Sequence, residues 1–471
     1  MGLIGANCDQ NGTGDVMKLS DTMSYSSPDE MMFGFSQKPV TTRRGLVIGG
    51  GSVIAEVVPH PRPGSEKTLN TLLREFEKAN RDVLQRCIDI GVPKVVLENE
   101  HVFQMTDNPE WGKKIAAQAA KQVDEYAEQY GIEAAYRATI ADLRKPEMVN
   151  LRDSERTQKV LESFIACAPY ADILSIESIG GKEIFDYCII RNDITGLLFA
   201  QGVLGSRDMA WLWPQIVSIA NDHGALPGGD TDCAQANTAM FMAGGYIDKN
   251  IPQSLAALSR AIAAARSLVA YECGATGPGK DCGYENPIVK AVTGLPMSME
   301  GKSCSCAHSS LCGNVTAAVC DLWSNEAVEY HSMFGGSTPE VFTEILGYDV
   351  ASMNASIALG HQREYQASLV WSDRYRSMHG FMLCPDNAWA IGKALVDNNE
   401  SYYARARAAA MTCGELMLND GQLQFTSFER DALLGYMQLM ETLPEREEEF
   451  IDQCLDKYSQ VTGFLPEAYG L

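Results

Sequence analysis

Ala134-Ala135-Tyr136-Arg137-Ala138-Thr139-Ile140-Ala141 ends at Asp142; Ser154 to Ala166 follows; then comes Asp172-Ile173-Leu174-Ser175-Ile176-Glu177, closed by Gly180-Gly181. The first and third pieces are short apolar runs of strand length. The middle piece repeats its apolar residues at helical spacing behind a cap expected at Asp153. Strand, helix, strand in this order is a βα unit, and it implies a parallel sheet.

The same alternation extends both ways. Val95-Val96-Leu97-Glu98 reads as a strand, and residues 111–130 read as an amphipathic helix with Ile115, Ala119, Val123, Tyr126 and Ala127 on one face. Downstream, a helix is expected around Ile216 to Ala220 and a strand over Gly224 to Gly229. Residues 235–265 read as helical, Arg266 to Glu272 as a strand with Ser267 to Tyr271 as its core, and Pro296 to Gly301 as another strand. No Gly-x-Gly-x-x-Gly opens the first unit, and the number of units favours a closed (β/α)8 barrel over an open sheet. Such barrels carry their sites at the C-terminal strand ends. Glu98, Asp142, Glu177, Asp230 and Glu272 all fall near predicted strand ends.

Three regions follow. Residues 1–43 are a tail and irregular cover, 44–335 the barrel, and 336–471 a mainly helical region packed on it. The acidic run around Glu445 to Glu449 reads as a solvated helix face.

Composition narrows the function. The chain has 471 residues, 45% of them hydrophobic, and a net charge of −23, so phosphate backbones and anionic membranes repel it. No apolar run approaches the ~18–20 residues of a membrane span, and the N-terminus lacks a secretory pattern. A cytoplasmic protein is expected, one that binds neither nucleic acid nor membrane. Its 14 cysteines have no framework spacing and read as reduced thiols, most of them small buried hydrophobes.

Three stretches carry chemistry. Gly274-Ala275-Thr276-Gly277-Pro278-Gly279-Lys280 fits most of a phosphate-binding loop, but Asp281 stands where Ser or Thr should hold magnesium, and Pro278 removes a backbone donor. Nucleotide binding is therefore not expected; the glycines shape a loop that presents Cys282. Cys233, in Gly228-Gly229-Asp230-Thr231-Asp232-Cys233, and Cys282, in Lys280-Asp281-Cys282, lie in separate βα loops. Thiolates from separate elements suit a catalytic zinc that keeps one position open. A rival set, Cys304-Ser305-Cys306-Ala307-His308 with Cys312, packs more soft ligands into nine residues; its blander reading is buried strand-end residues.

The long motifs Ser175 to Glu183, Gly229 to Asn237 and Gly277 to Asn286 resemble the zinc subunit of methanol:corrinoid methyltransferases. So do Asp29-Glu30-Met31, Asn108-Pro109-Glu110-Trp111-Gly112, Trp323-Ser324-Asn325-Glu326 and Glu329-Tyr330-His331. The likeness runs from about residue 23 to the end. It implies a (β/α)8 barrel with added helices and zinc held by Glu177, Cys233 and Cys282. It also implies methyl transfer from methanol to a cobalt(I) corrinoid carried in trans by a separate corrinoid protein. Cys304 and Cys312 are not ligands in that family.

Two thiolates and a carboxylate outweigh the charge of zinc, so methanol is expected to bind chiefly as the alcohol. Asp230, Asp232 and Asp281 are candidate proton partners, or else turn residues. A homo-oligomer, or a hetero-oligomer with the corrinoid protein, is expected. The alternatives are a relative using another small methyl donor and a zinc hydrolase. Against the hydrolase, the seven histidines show neither H-x-H nor H-E-x-x-H spacing.

Overall fold

The computed structural model describes residues 18–144, 151–245, 251–300, 312–328, 332–333 and 335–471. Nine strands build the centre: β1 Phe35–Thr41, β2 Val47–Gly50, β3 Ile54–His60, β4 Lys94–Glu100, β5 Glu133–Ile140, β6 Ile173–Ile176, β7 Leu226–Asp230, β8 Ser298–Glu300 and β9 Leu322–Val328. Seven of them form one parallel sheet in the order β7-β6-β5-β4-β3-β9-β8.

Its two edges are joined by an irregular extended segment, residues 276–281. The Thr276 N–H donates to Pro227 O at 2.9 Å on the β7 side. On the β8 side, the Gly279 N–H donates to Pro296 O at 3.1 Å, and the Ser298 N–H donates back to Gly279 O at 3.2 Å. The ring thus closes with eight staves, the (β/α)8 barrel expected from the alternation.

Period-2 patterning sorts the side chains. Ala55, Val57, Val95, Leu97, Tyr136, Ala138, Leu174, Ile176 and Trp323 face outward into one apolar cluster with the surrounding helices. The alternate positions face inward. Ile54, Val96, Ala135, Ile173 and Leu322 form an apolar floor. One step higher the inward residues turn polar: Glu56, Glu98, Arg137, Ser175, Ser298 and Ser324 are all fully buried.

The first residues described are not an irregular cover throughout. β1 and β2 pair antiparallel, and this hairpin inserts Leu46 and Ile48 into the floor layer. It spans residues 43 and 44, so cover and barrel share one packed layer.

The helices follow their signals. α1 is Leu69–Asp89, α2 Pro109–Tyr130 and α3 Glu155–Cys167. Pro109 opens α2, and Gly131, at φ 72°, ends it in the left-handed conformation glycine tolerates. α3 is capped by Ser154, which accepts from the Thr157 N–H, and not by Asp153.

α4 is Ser206–Asp222 and α5 Gln253–Glu272. α5 corrects the expected strand at Arg266 to Glu272, because the helix runs on without a break. Every residue from Ser254 to Ala270 is buried, so α5 has no polar face to reveal a helical period. Glu272 is therefore no strand-end acid; it pairs with Arg405 at 2.7 Å.

Six longer helices dominate the C-terminal region: α6 Thr338–Ala358, α7 Gln362–Asp373, α8 Pro385–Asp397, α9 Tyr402–Asn419, α10 Ser427–Glu441 and α11 Glu447–Tyr458. α9 lies along α5, and both belong to one large apolar cluster that also takes in Tyr403 and Phe450, stacked at 3.9 Å between ring centroids.

Leu46 has 1% of its surface exposed and sits in the floor. Leu46→Ala should cost about 2–5 kcal/mol, the usual range for emptying a core leucine site. Thermal denaturation checks this, and a variant melting with the wild type would mean the hairpin does not seal the barrel.

Candidate metal centre

Three neighbouring staves end at one point. Glu177 follows β6. Cys233 opens a π-helical turn, Cys233–Asn237, just past β7, and Cys282 follows the irregular stave. Residues far apart in sequence are thereby adjacent around the rim. One donor atom from each lies within 4.8 Å of the others, and the Cys282 thiol donates to Glu177 Oε1 at 2.6 Å. One ion could span a set this compact.

Electrostatics point the same way. Burial, then the nearby Glu100, pushes the Glu177 carboxyl up to about 7 despite the opposing charge of Lys280. A hydrogen bond with Cys282 favours the Cys233 thiolate, but burial and Glu177 outweigh it and push the thiol up to about 12. Burial and Cys233 raise Cys282 well above the usual thiol range. The three groups repel one another as anions, and a dication between them would reverse that balance.

The local fold holds the donors with buried polar groups. The Thr231 hydroxyl lies 3.2 Å from Cys282 Sγ. The Asn237 amide donates to Cys233 Sγ at 3.4 Å and to the Cys282 carbonyl at 3.1 Å. Arg260 donates to the Asn237 side-chain oxygen, which fixes the amide's orientation, and also binds Glu285 at 2.6 Å. The sequence reading did not single out Thr231, Asn237 or Arg260. One signal was there: Asn237 stands four residues after Cys233, on the same face of a helical turn.

The three aspartates are fully buried braces of the loops. Asp230 accepts from the Ser178 N–H at 3.0 Å, the Thr231 N–H at 2.8 Å and the Trp213 indole at 2.9 Å, tying β6 to β7. Asp232 accepts from Gln201 at 2.5 Å and faces Arg266 at 3.7 Å. Asp281 accepts from Lys280, from the Cys282 N–H at 2.9 Å and from Ser324 at 2.5 Å.

The glycine loop is the irregular stave itself. Its N–H groups at Thr276, Gly277 and Gly279 are spent on barrel carbonyls and cannot cradle phosphate. Lys280 is buried with its ammonium 2.5 Å from Glu100, 3.2 Å from Glu98 and 3.7 Å from Glu177. Burial pulls against its charge, but Asp281, Glu100 and Glu98 win and hold it protonated well above its ordinary value. A second group of facing donors, His60, Glu100 and Glu326, stands farther round the same rim. Cys312 is buried in the apolar cluster beside α5. Cys304, Cys306 and His308 lie outside the described residues.

The chain matches the family model for the methanol-cobalamin methyltransferase B subunit over residues 17–470. It is 46% identical over 458 residues to a methanol–corrinoid protein co-methyltransferase of Methanosarcina barkeri, covering 96% of this chain and 99% of that protein. Its structure is similar, with a TM-score of 0.94 and 45% identity, to a chain in the crystal structure of the methanol:cobalamin methyltransferase complex MtaBC from the same species; the likeness covers 96% of this chain and 100% of that one.

Lys280→Met would leave Asp281, Glu98 and Glu100 without their shared cation. A loss of about 3–5 kcal/mol is expected. Lys280 holds Asp281 below its usual range, so the stability it adds is present above that range and lost on acidification. Melting curves of the variant and the wild type should therefore converge only as pH falls below the ordinary aspartate range.

Proposed function

The chain belongs to the methanol-cobalamin methyltransferase B subunit family, and we propose that it transfers the methyl group of methanol to the cobalt(I) corrinoid of a separate corrinoid protein, with zinc held by Glu177, Cys233 and Cys282. The observation that carries the zinc assignment is the convergence of one carboxylate and two thiols from three adjacent staves. Two sulfurs and one oxygen are a donor set zinc accepts, and three protein ligands leave a position for substrate. Bound there, zinc would supply a Lewis acid for the alcohol oxygen.

The protein's own residues set the conditions of the reaction. Thr231 and Asn237 hold the two sulfurs in place, and Arg260 holds Asn237. The three ligands would carry one more negative charge than zinc offsets, so an alcohol bound there would be only weakly acidified and methanol would keep its hydroxyl proton. Breaking the C–O bond leaves the electron pair on oxygen, and the cobalt(I) electron pair forms the new Co–C bond. The departing oxygen then takes up one proton from the medium to leave as water.

Asp230, Asp232 and Asp281 are engaged as loop braces, which supports the turn-residue reading over a role in proton handling. The corrinoid comes on the partner: the chain has no Asp-x-His-x-x-Gly motif of the corrinoid-binding type. The rim must stay open for a planar cofactor to approach, and orienting it accounts for part of the rate. Among the described residues, no helix is long and apolar enough to cross a membrane. We place the reaction in the cytoplasm, with the corrinoid protein as the assembly partner.

Metal analysis followed by mixing with cob(I)alamin and methanol tests this reading through loss of the cobalt(I) absorbance. Cys233→Ala and Cys282→Ala should each lose zinc and activity, while Cys304→Ala should keep both. Methylation by another small donor but not by methanol would overturn the substrate assignment.

A further inference from the structure

His60 ends β3, Glu100 ends β4, and Glu326 lies on β9. β3 pairs with both β4 and β9, so the three side chains stand side by side on the rim. His60 Nε2 is 3.2 Å from Glu100 Oε2 and 3.8 Å from Glu326 Oε2. The ring nitrogen makes no hydrogen bond to either carboxylate. The other oxygen of Glu100 lies 2.5 Å from the Lys280 ammonium, which lies 3.7 Å from Glu177. A file of polar side chains, its links 3.2, 2.5 and 3.7 Å long, therefore runs from His60, whose side chain is 25% exposed, to the first donor of the metal centre.

Resting on the methyl-transfer reading, the chemistry needs such a file. Each transfer consumes one proton at the departing oxygen, in a site whose nearest aspartates already accept hydrogen bonds. We propose that His60, Glu100 and Glu326 form a proton-supplying cluster that holds the proton the departing oxygen consumes and replaces it from solvent through His60. The groups facing the cluster are Lys280, Glu98, Glu177, Asp281 and Glu300, with Arg137 and Glu56 deeper in the barrel. The negative groups outnumber the positive ones, which favours keeping protons there. Burial, then Glu100, Glu300 and Asp281, raises the Glu326 carboxyl well above its ordinary value, in keeping with a stored proton. A donor must be protonated to act, and the raised Glu326 carboxyl makes the rate fall as pH rises.

The test uses the zinc-loaded protein in weak buffer with a pH-indicator dye, rapidly mixed with cob(I)alamin and methanol. The wild type should take up one proton per cobalt(I) consumed. His60→Gln and Glu326→Gln should keep the wild-type zinc content. Their cobalt(I) consumption should slow by on the order of tenfold or more at alkaline pH and by less as pH falls. Imidazole should restore rate to His60→Ala. Variants with the wild-type rate and pH profile would overturn the proposal. So would a second zinc per chain that His60→Gln removes, since the cluster would then be a metal site. A zinc-loaded wild type that leaves cobalt(I) unconsumed would overturn the methyl-transfer reading itself, and this inference with it.

Discussion

Two buried cations hold the inside of the barrel together. Arg137 donates to Glu56 at 2.7 Å and to Ser175 at 2.9 Å. It also reaches the carbonyl of Pro278 at 3.1 Å, a group that a regular strand would satisfy through its ladder, and that of Gly279 at 3.4 Å. Lys280 then gathers Glu98, Glu100 and Asp281 around one charge. Isolated charges at such depth cost several kcal/mol each, so neither cation is stable there without its anions, nor the anions without it. Between them they fix the irregular stave, and Cys282 follows Lys280 by two residues. The position of a metal donor thus depends on charge compensation inside the barrel more than on backbone pairing.

That dependence explains what was legible in the sequence. Alternating strands such as Lys94–Glu100 and Glu133–Ile140 could be read directly, because their outward residues are apolar and their inward ones change character. The barrel followed from them. The eighth stave could not be read this way. Residues 276–281 hold two glycines and a proline, and nothing in them signals a strand. The nearby apolar run that did look like one is the buried end of α5. A helix covered on all sides and a strand buried on both faces carry the same hydrophobic signature.

The centre divides along similar lines. Glu177, Cys233 and Cys282 came from motif resemblance, and the fold brings the three together. Asn237 and Thr231 escaped notice because Asn and Thr are ordinary residues whose role depends on where a thiol happens to lie. Lys280 was read as part of a glycine loop. Only the packed barrel shows it surrounded by carboxylates contributed by several staves. His60 and Glu326 lie far apart in sequence and meet only because β9 returns to pair with β3.

The hairpin floor has one more consequence. Leu46 and Ile48 close the far end of the barrel with apolar side chains, and the polar layer above them is fully buried. Among the described residues, the metal donors stand at the opposite rim, beyond the C-terminal strand ends. On the proposed methyl transfer, alcohol and corrinoid would approach the metal donors from this same rim. If both use this rim, the small molecule would have to be seated before the large cofactor covers it.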